Sequence, residues 1–183
     1  MILRMPNNIG PFDAVRLTDP RLQPTAGAPV KRIIFPEPEG IRARKVVTRS
    51  RFRSTGKYPS WKMKRSMQWE SANELNAFRL LDADAEVKGF AEQPCIIEYV
   101  DDGKLRKHTP DILVEFREGR KELWEIKTAN EASHTNIAAR TSLLSQSLPH
   151  FGYRYRVVLA QDLQLQPRLR NTITLLRYGS AAL

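Results

Sequence analysis

The stretch His108-Thr109-Pro110-Asp111-Ile112-Leu113-Val114-Glu115-Phe116, followed after a short turn by Glu122-Leu123-Trp124-Glu125-Ile126-Lys127, decides how this chain reads. Residues 111–116 and 122–127 are rich in branched and aromatic side chains, and a turn at residues 117–120 separates them, so they predict two strands joined as a pair. A period of two puts Glu125 and Lys127 on one face of the second strand and Trp124 and Ile126 on the other. Pairing through a short turn sets the beginning of the first strand near the end of the second, so Asp111 and Glu125 can converge.

Outward from this pair, the chain reads as regular elements. Ser71-Ala-Asn-Glu74 has the form of a capping box and opens a helix to about Leu81, with Leu75, Phe78 and Leu81 as its apolar stripe. Ile96–Val100 is a strand candidate, and Asp101-Asp102-Gly103-Lys104 carries the Asp-Gly hairpin signal. A second helix is expected from about Glu131 to Leu148, where Ile137, Leu144 and Leu148 repeat at helical spacing. Residues 155–160 read as a further strand, and residues 167–178 as a tail helix. The expected order is α-β-β-β-α-β and then α, an α/β class with a mixed sheet flanked by helices.

The chain has 183 residues, with 30 Lys and Arg against 20 Asp and Glu, a net charge of +10, and 41% of it is apolar. That apolar share can fill a core, and no run approaches the ~20 apolar residues of a spanning helix. The N-terminal residues lack the apolar centre of a secretion signal, and the single Cys95 makes neither an internal disulfide nor a cysteine-based zinc site. A soluble, cytoplasmic protein is expected. Residues 1–69 hold 15 basic and 4 acidic side chains, so the whole excess of charge lies there, together with 8 of the 12 prolines. The division expected from this is a basic, proline-rich arm over 1–69 and a globular domain over 70–183 with its C-terminal helix. Between Ile41 and Trp69 the positive charges alternate with Phe52, Tyr58, Trp61 and Trp69, a pattern suited to phosphates and to stacking on bases. Arg49, Arg51, Arg53, Lys57, Lys62, Lys64 and Arg65 are the expected DNA contacts, although Trp61 and Trp69 equally suit burial against the domain. The segment Ile33-Ile34-Phe35 reads as a strand or an anchor onto it.

Glu74, on the core-edge face of the first helix, is a third acid beside Asp111 and Glu125. Two carboxylates ~4 Å apart at an effective dielectric of ~20 repel by roughly 4 kcal/mol, so such a group takes up protons or binds a cation. A hard divalent ion such as Mg²⁺, with Mn²⁺ as a substitute, suits carboxylate oxygens and shares its sphere with phosphate, which points to metal-assisted phosphodiester hydrolysis with Lys127 acting on water or on the transition state. Each residue also has an ordinary reading: Glu74 as a cap, Asp111 as a turn acid, Glu125 and Lys127 as a solvated pair. His108, His134 and His150 are too dispersed for a zinc site. Gln93 beside Pro94 suits contact with the site or a turn, the turn being preferred, and His134 and Arg140 on the second helix suit either facing DNA or an ordinary helix surface.

Pro110-Asp111 followed by Glu125-Ile-Lys127 resembles the PD-(D/E)xK signature of the restriction-endonuclease-like fold, whose common core has the order α-β-β-β-α-β. The longer series Glu70-Ser-Ala-Asn-Glu74-Leu, Glu92-Gln93-Pro94, His108-Thr-Pro-Asp111 and Glu125-Ile-Lys127 resembles the N-terminal catalytic domain of TnsA, the transposon-end endonuclease, over about residues 50–160. The resemblance implies a Mg²⁺-dependent DNA endonuclease in which Glu74, Asp111 and Glu125 ligate or orient the ion and Lys127 is the active-site lysine. It also implies a DDE transposase partner, TnsB, which processes the 3′ ends while this enzyme cuts the 5′ ends, and an ATPase regulator, TnsC. Family members meet that regulator through a C-terminal winged helix, for which too few residues follow Ala160. A stand-alone phage or defence nuclease and a non-catalytic DNA-binding assembly factor are the alternatives.

Overall fold

The computed structural model describes residues 27–36, 42–43 and 54–178. Its strands are β1 (Val30–Ile34), β2 (Gly56–Ser60), β3 (Arg65–Trp69), β4 (Val87–Glu92), β5 (Ile96–Asp101), β6 (Lys104–His108), β7 (Ile112–Phe116), β8 (Lys121–Lys127) and β9 (Arg154–Leu159). The helices are α1 (Ala72–Ala83), α2 (Ala129–Ala132), α3 (Thr135–Ser147) and α4 (Arg168–Tyr178).

A four-stranded mixed sheet in the order β4-β7-β8-β9 positions the acids of the two-strand segment. β7 lies antiparallel to both β4 and β8, whereas β9 runs parallel to β8. A parallel neighbour requires a crossover, and α2 and α3 supply it. On one face of the sheet, Phe90, Ile112, Val114, Ile126 and Val158 meet Ala77, Phe78 and Leu81 of α1 and Met63 and Met67 of the β2–β3 hairpin. On the other, Leu113, Leu123 and Tyr155 meet Leu144 of α3 and Ile33, Ile97 and Tyr99 of a second sheet, ordered β1-β5-β6. α4 packs on α1 through its buried Leu169. Among the described residues no helix is long and apolar enough to cross a membrane.

The expected helices flank a mixed sheet, but its membership differs from the sequence reading. Ile96–Val100 was expected to open the central sheet; it instead forms β5 of the second sheet, paired with β1 and β6. The first strand of the central sheet is β4, Val87-Lys-Gly-Phe-Ala-Glu92, whose glycine and two charged residues hide a strand buried at five of its six positions. The β5–β6 hairpin turns as its Asp-Gly signal predicts, with φ of 48° at Asp102 and 71° at Gly103. The single helix expected over 131–148 is two: Thr128 and Glu131 form a reciprocal capping box on α2, and α3 starts afresh after His134.

Described residues on both sides of position 69 pack together. Ile33 is buried in the core and β1 pairs with β5, as an anchor would. The β2–β3 hairpin is fixed to α1 through Asp82, which accepts from Tyr58 Oη (2.7 Å), Ser60 Oγ (2.8 Å), Trp61 N (3.0 Å) and Lys62 N (2.8 Å). A buried carboxylate is tolerated when its oxygens are filled by donors in this way. Gly56 lies against the Trp69 indole, where any side chain would meet the ring.

Candidate active site at the β7 and β8 strand ends

Asp111 immediately precedes β7, and the sheet register holds it in place: its amide donates to the Trp124 carbonyl (2.9 Å), and its carbonyl accepts from Gln93 N (2.8 Å). Its Oδ2 accepts from the Ile126 amide at 2.7 Å. The acid is thus wedged between the ends of β4 and β8. Glu125 and Lys127 share a face of β8, as period two demands, and Lys127 Nζ lies 2.8 Å from Glu125 Oε1. Glu125 meets two further side chains from other elements. Arg140 Nη2, from α3, reaches the same Oε1 at 3.1 Å. His108 Nε2, from the end of β6, stands 3.1 Å from Oε2 and 2.9 Å from Tyr155 Oη. The His108 contact is close but lies outside hydrogen-bonding angles, so Oε2 is a buried oxygen without a hydrogen-bond partner.

Glu74 realises its capping role. Its Oε2 accepts from Glu70 N (2.9 Å) and its Oε1 from Ser71 Oγ (3.0 Å), while its own amide donates to Ser71 Oγ (3.2 Å). Its charge still acts on the strand ends, as the proton affinities show. Burial, then the Glu125 charge, and more weakly that of Glu74, push the Asp111 carboxyl up to about 7 against the pull of the Ile126 amide and of Lys127. Burial also raises Glu74 despite its cap bonds, and Lys127 works against that rise. Burial works to raise Glu125 as well, but His108 and Lys127 outweigh it and hold the carboxyl down at about 2. Burial works to lower the Lys127 ammonium, and the Glu125 carboxylate overcomes it, so the group is raised. The result is one ionised acid held by cations, next to a second acid that burial and then its acidic neighbours push toward protonation.

Asp111, Glu125 and Lys127 therefore come together at one end of the sheet, with Glu74 within electrostatic reach. Among the described residues, however, no group of three His, Cys, Asp or Glu side chains is arranged to hold a metal ion. The expected ligand trio does not meet around one point because the Glu74 oxygens serve its helix cap and Glu125 Oε1 is taken by Lys127 and Arg140. The donor chemistry nonetheless fits a hard cation: the oxygens are carboxylates, Glu125 Oε2 is buried and makes no hydrogen bond, meeting only the His108 ring at 3.1 Å, and burial with the neighbouring Glu125 charge raises Asp111.

Arg140, His108 and Tyr155 are the side chains that sequence reasoning did not place around Glu125. A signal existed for Arg140, which stands three residues after Ile137 and four before Leu144, on the apolar stripe of its helix. His108 pairs with the fully buried Ile97 and so points inward, a fact that depends on a register invisible before folding. Gln93 adopts the left-handed φ of 44° that a turn residue takes, and its buried Oε1 has no partner. His134 caps the start of α3 by position alone, without a side-chain bond.

Of the expected DNA contacts, Arg49, Arg51 and Arg53 lie outside the described residues. Lys57 and Lys64 are exposed. Arg65 is committed instead to the buried Glu92, in a two-pronged pair of 2.9 and 2.6 Å. Lys62 donates to the Val87 carbonyl at 2.7 Å and to the Asp84 carbonyl, closing the end of α1. Those two cations stabilise the hairpin.

No curated protein matches the chain. A family model, the TnsA-like endonuclease N terminal, matches residues 84–160. The matched region runs from the end of α1 through β9 and contains His108, Asp111, Glu125, Lys127, Arg140 and Tyr155, with Glu74 upstream of it. Residues 84–160 of this chain are thus similar to the TnsA-like endonuclease N-terminal family, and the strand ends described above are the part of the matched region that gathers acids and a lysine.

Proposed function

We propose that the protein is a divalent-metal-dependent DNA endonuclease of TnsA type on a restriction-endonuclease-like core, cutting a phosphodiester at the 5′ end of a transposon beside a DDE transposase, with a TnsC-like ATPase as regulator. The observation that carries this reading is the meeting of Asp111, Glu125 and Lys127 at one sheet end, inside the family-matched region. In it, Asp111 and Glu125 hold a Mg²⁺ ion, with Glu74 orienting the site from the helix start. When bound, the ion lowers the pKa of water and neutralises charge on the phosphate. Lys127 places its ammonium where charge develops on the attacked phosphate, and its pairing with Glu125 keeps it protonated for that role. Asp111, anchored by the Ile126 amide, fixes the position of its free oxygen. Exposed Lys57 and Lys64, with Arg49, Arg51 and Arg53, neutralise phosphates of the duplex.

Nicking of plasmid and transposon-end DNA, with and without the transposase, tests the reading on wild type, Asp111→Ala and Lys127→Ala. Mg²⁺-dependent nicking by wild type, reduced about 100-fold or more in both variants, is expected. Equal activity in all three removes the assignment. Cleavage independent of transposon sequence and partner would instead identify a stand-alone nuclease. One observation favours a non-catalytic DNA-binding assembly factor: the Arg140 guanidinium lies against Glu125. That second reading predicts duplex binding with no site-specific Mn²⁺ uptake.

A further inference from the structure

Arg140 is unusual among the groups around Glu125. His108 is clasped by the Tyr155 hydroxyl at 2.9 Å and is 8% exposed, so it cannot leave. Lys127 stands on the same strand as Glu125, two residues on, and travels with it. Arg140 comes from a different element, α3, and holds Glu125 Oε1 through one nitrogen, Nη2, at 3.1 Å. Its Nε is buried and has no acceptor. The guanidinium is a planar fork with five N–H donors that matches the paired oxygens of a phosphate. A fork that meets one carboxylate oxygen and the Tyr155 hydroxyl but leaves its Nε unpartnered has more to gain from a phosphate than from its present acceptors.

Resting on the nuclease reading above, we infer that Arg140 is an exchangeable positioning residue, which leaves Glu125 Oε1 for a backbone phosphate of bound DNA and so frees that carboxylate for the divalent ion. Without DNA, the Arg140 cation occupies the acid that the metal needs and the site discriminates against the ion. With DNA, the negative phosphate takes the arginine, and Glu125 Oε1 keeps only Lys127. Metal and DNA binding are then positively coupled through one side chain, and by linkage each tightens the other to the same degree.

The test is Mn²⁺ titration of the full, metal-stripped chain, followed by the paramagnetic resonance of free Mn²⁺, with and without a short DNA duplex. It is run on wild type, Arg140→Gln and Arg140→Lys. For wild type, the duplex is expected to tighten Mn²⁺ binding by about fivefold or more, within the usual range of coupling between sites. Arg140→Gln is expected to bind Mn²⁺ more tightly than wild type without DNA and to respond to the duplex by less than about twofold. Arg140→Lys, which keeps the charge but loses the fork, is expected to fall between them, and it carries the test should the glutamine variant not fold. The inference is overturned if the variants match wild type without DNA and keep its full response to the duplex. Absence of Mn²⁺ binding in every protein, with and without DNA, overturns the nuclease reading itself and the inference with it.

Discussion

Asp111→Asn should stabilise the metal-free protein while removing a residue the site needs. Asp111 is buried beside Glu125 and Glu74, and its carboxyl is pushed from 3.8 up to about 7. The folded state thus holds a proton that the unfolded chain releases, so this group's contribution is full below about pH 4 and is lost as pH rises through about 7. At ~1.36 kcal/mol per tenfold change in proton affinity, the difference sets a ceiling of roughly 4 kcal/mol on the cost of ionised Asp111. Partial solvent contact reduces it, and we expect asparagine to recover about 2 kcal/mol, a rise in Tm of roughly 4–8 °C at this chain length. The asparagine carbonyl still accepts from the Ile126 amide, so the bond that seats the residue survives. The assay is thermal unfolding in EDTA between about pH 4 and pH 8, with the gain growing from near zero at the acid end. Added Mn²⁺ should close the gap by stabilising wild type alone. A variant that melts below wild type at the alkaline end, or a gain independent of pH, refutes the reasoning, since the effect would then arise from packing and not from charge.

Glu125→Gln should act with the opposite sign. Glu125 is held down at about 2 by His108 and Lys127 against its burial, so its stabilisation is present above about pH 4.5 and fades as pH falls toward 2. The variant should melt below wild type near neutrality and converge with it in acid, as pH-dependent unfolding will show. Asp82→Ala strips the acceptor from Tyr58, Ser60, Trp61 and Lys62 and is expected to cost about 3 kcal/mol or more in a denaturant titration. Gly56→Ala forces a methyl group into the Trp69 ring; about 1–3 kcal/mol of destabilisation is expected, readable as a lower urea midpoint.

The acids, the lysine and their strands were legible because period two and a short turn tie sequence spacing directly to geometry. The Pro110-Asp111 start and the Glu125, Lys127 pair fall where that logic puts them. β4 was not legible, because Gly89 and Lys88 break its pattern and Glu92, which reads as solvent-facing, is 1% exposed beneath Arg65. The hairpin over residues 56–69 read as part of a DNA-binding arm because its cations look free in the sequence. Two of them answer to acceptors more than twenty residues away, Glu92 for Arg65 and the Val87 carbonyl for Lys62. The surroundings of Glu125 were illegible for the same reason: His108, Arg140 and Tyr155 reach it from three elements whose mutual packing no local rule supplies. Glu74 shows the converse, since the capping box was plain in the sequence and the cap is what its oxygens do.

Mn²⁺ bound to the crystalline protein and located by its anomalous scattering tests the central claim most directly. The account predicts one strong peak bounded by carboxylate oxygens of Asp111 and Glu125, with the Arg140 guanidinium drawn away from Glu125. Saturating Mn²⁺ with no peak there, and Arg140 still seated on Glu125, would contradict it.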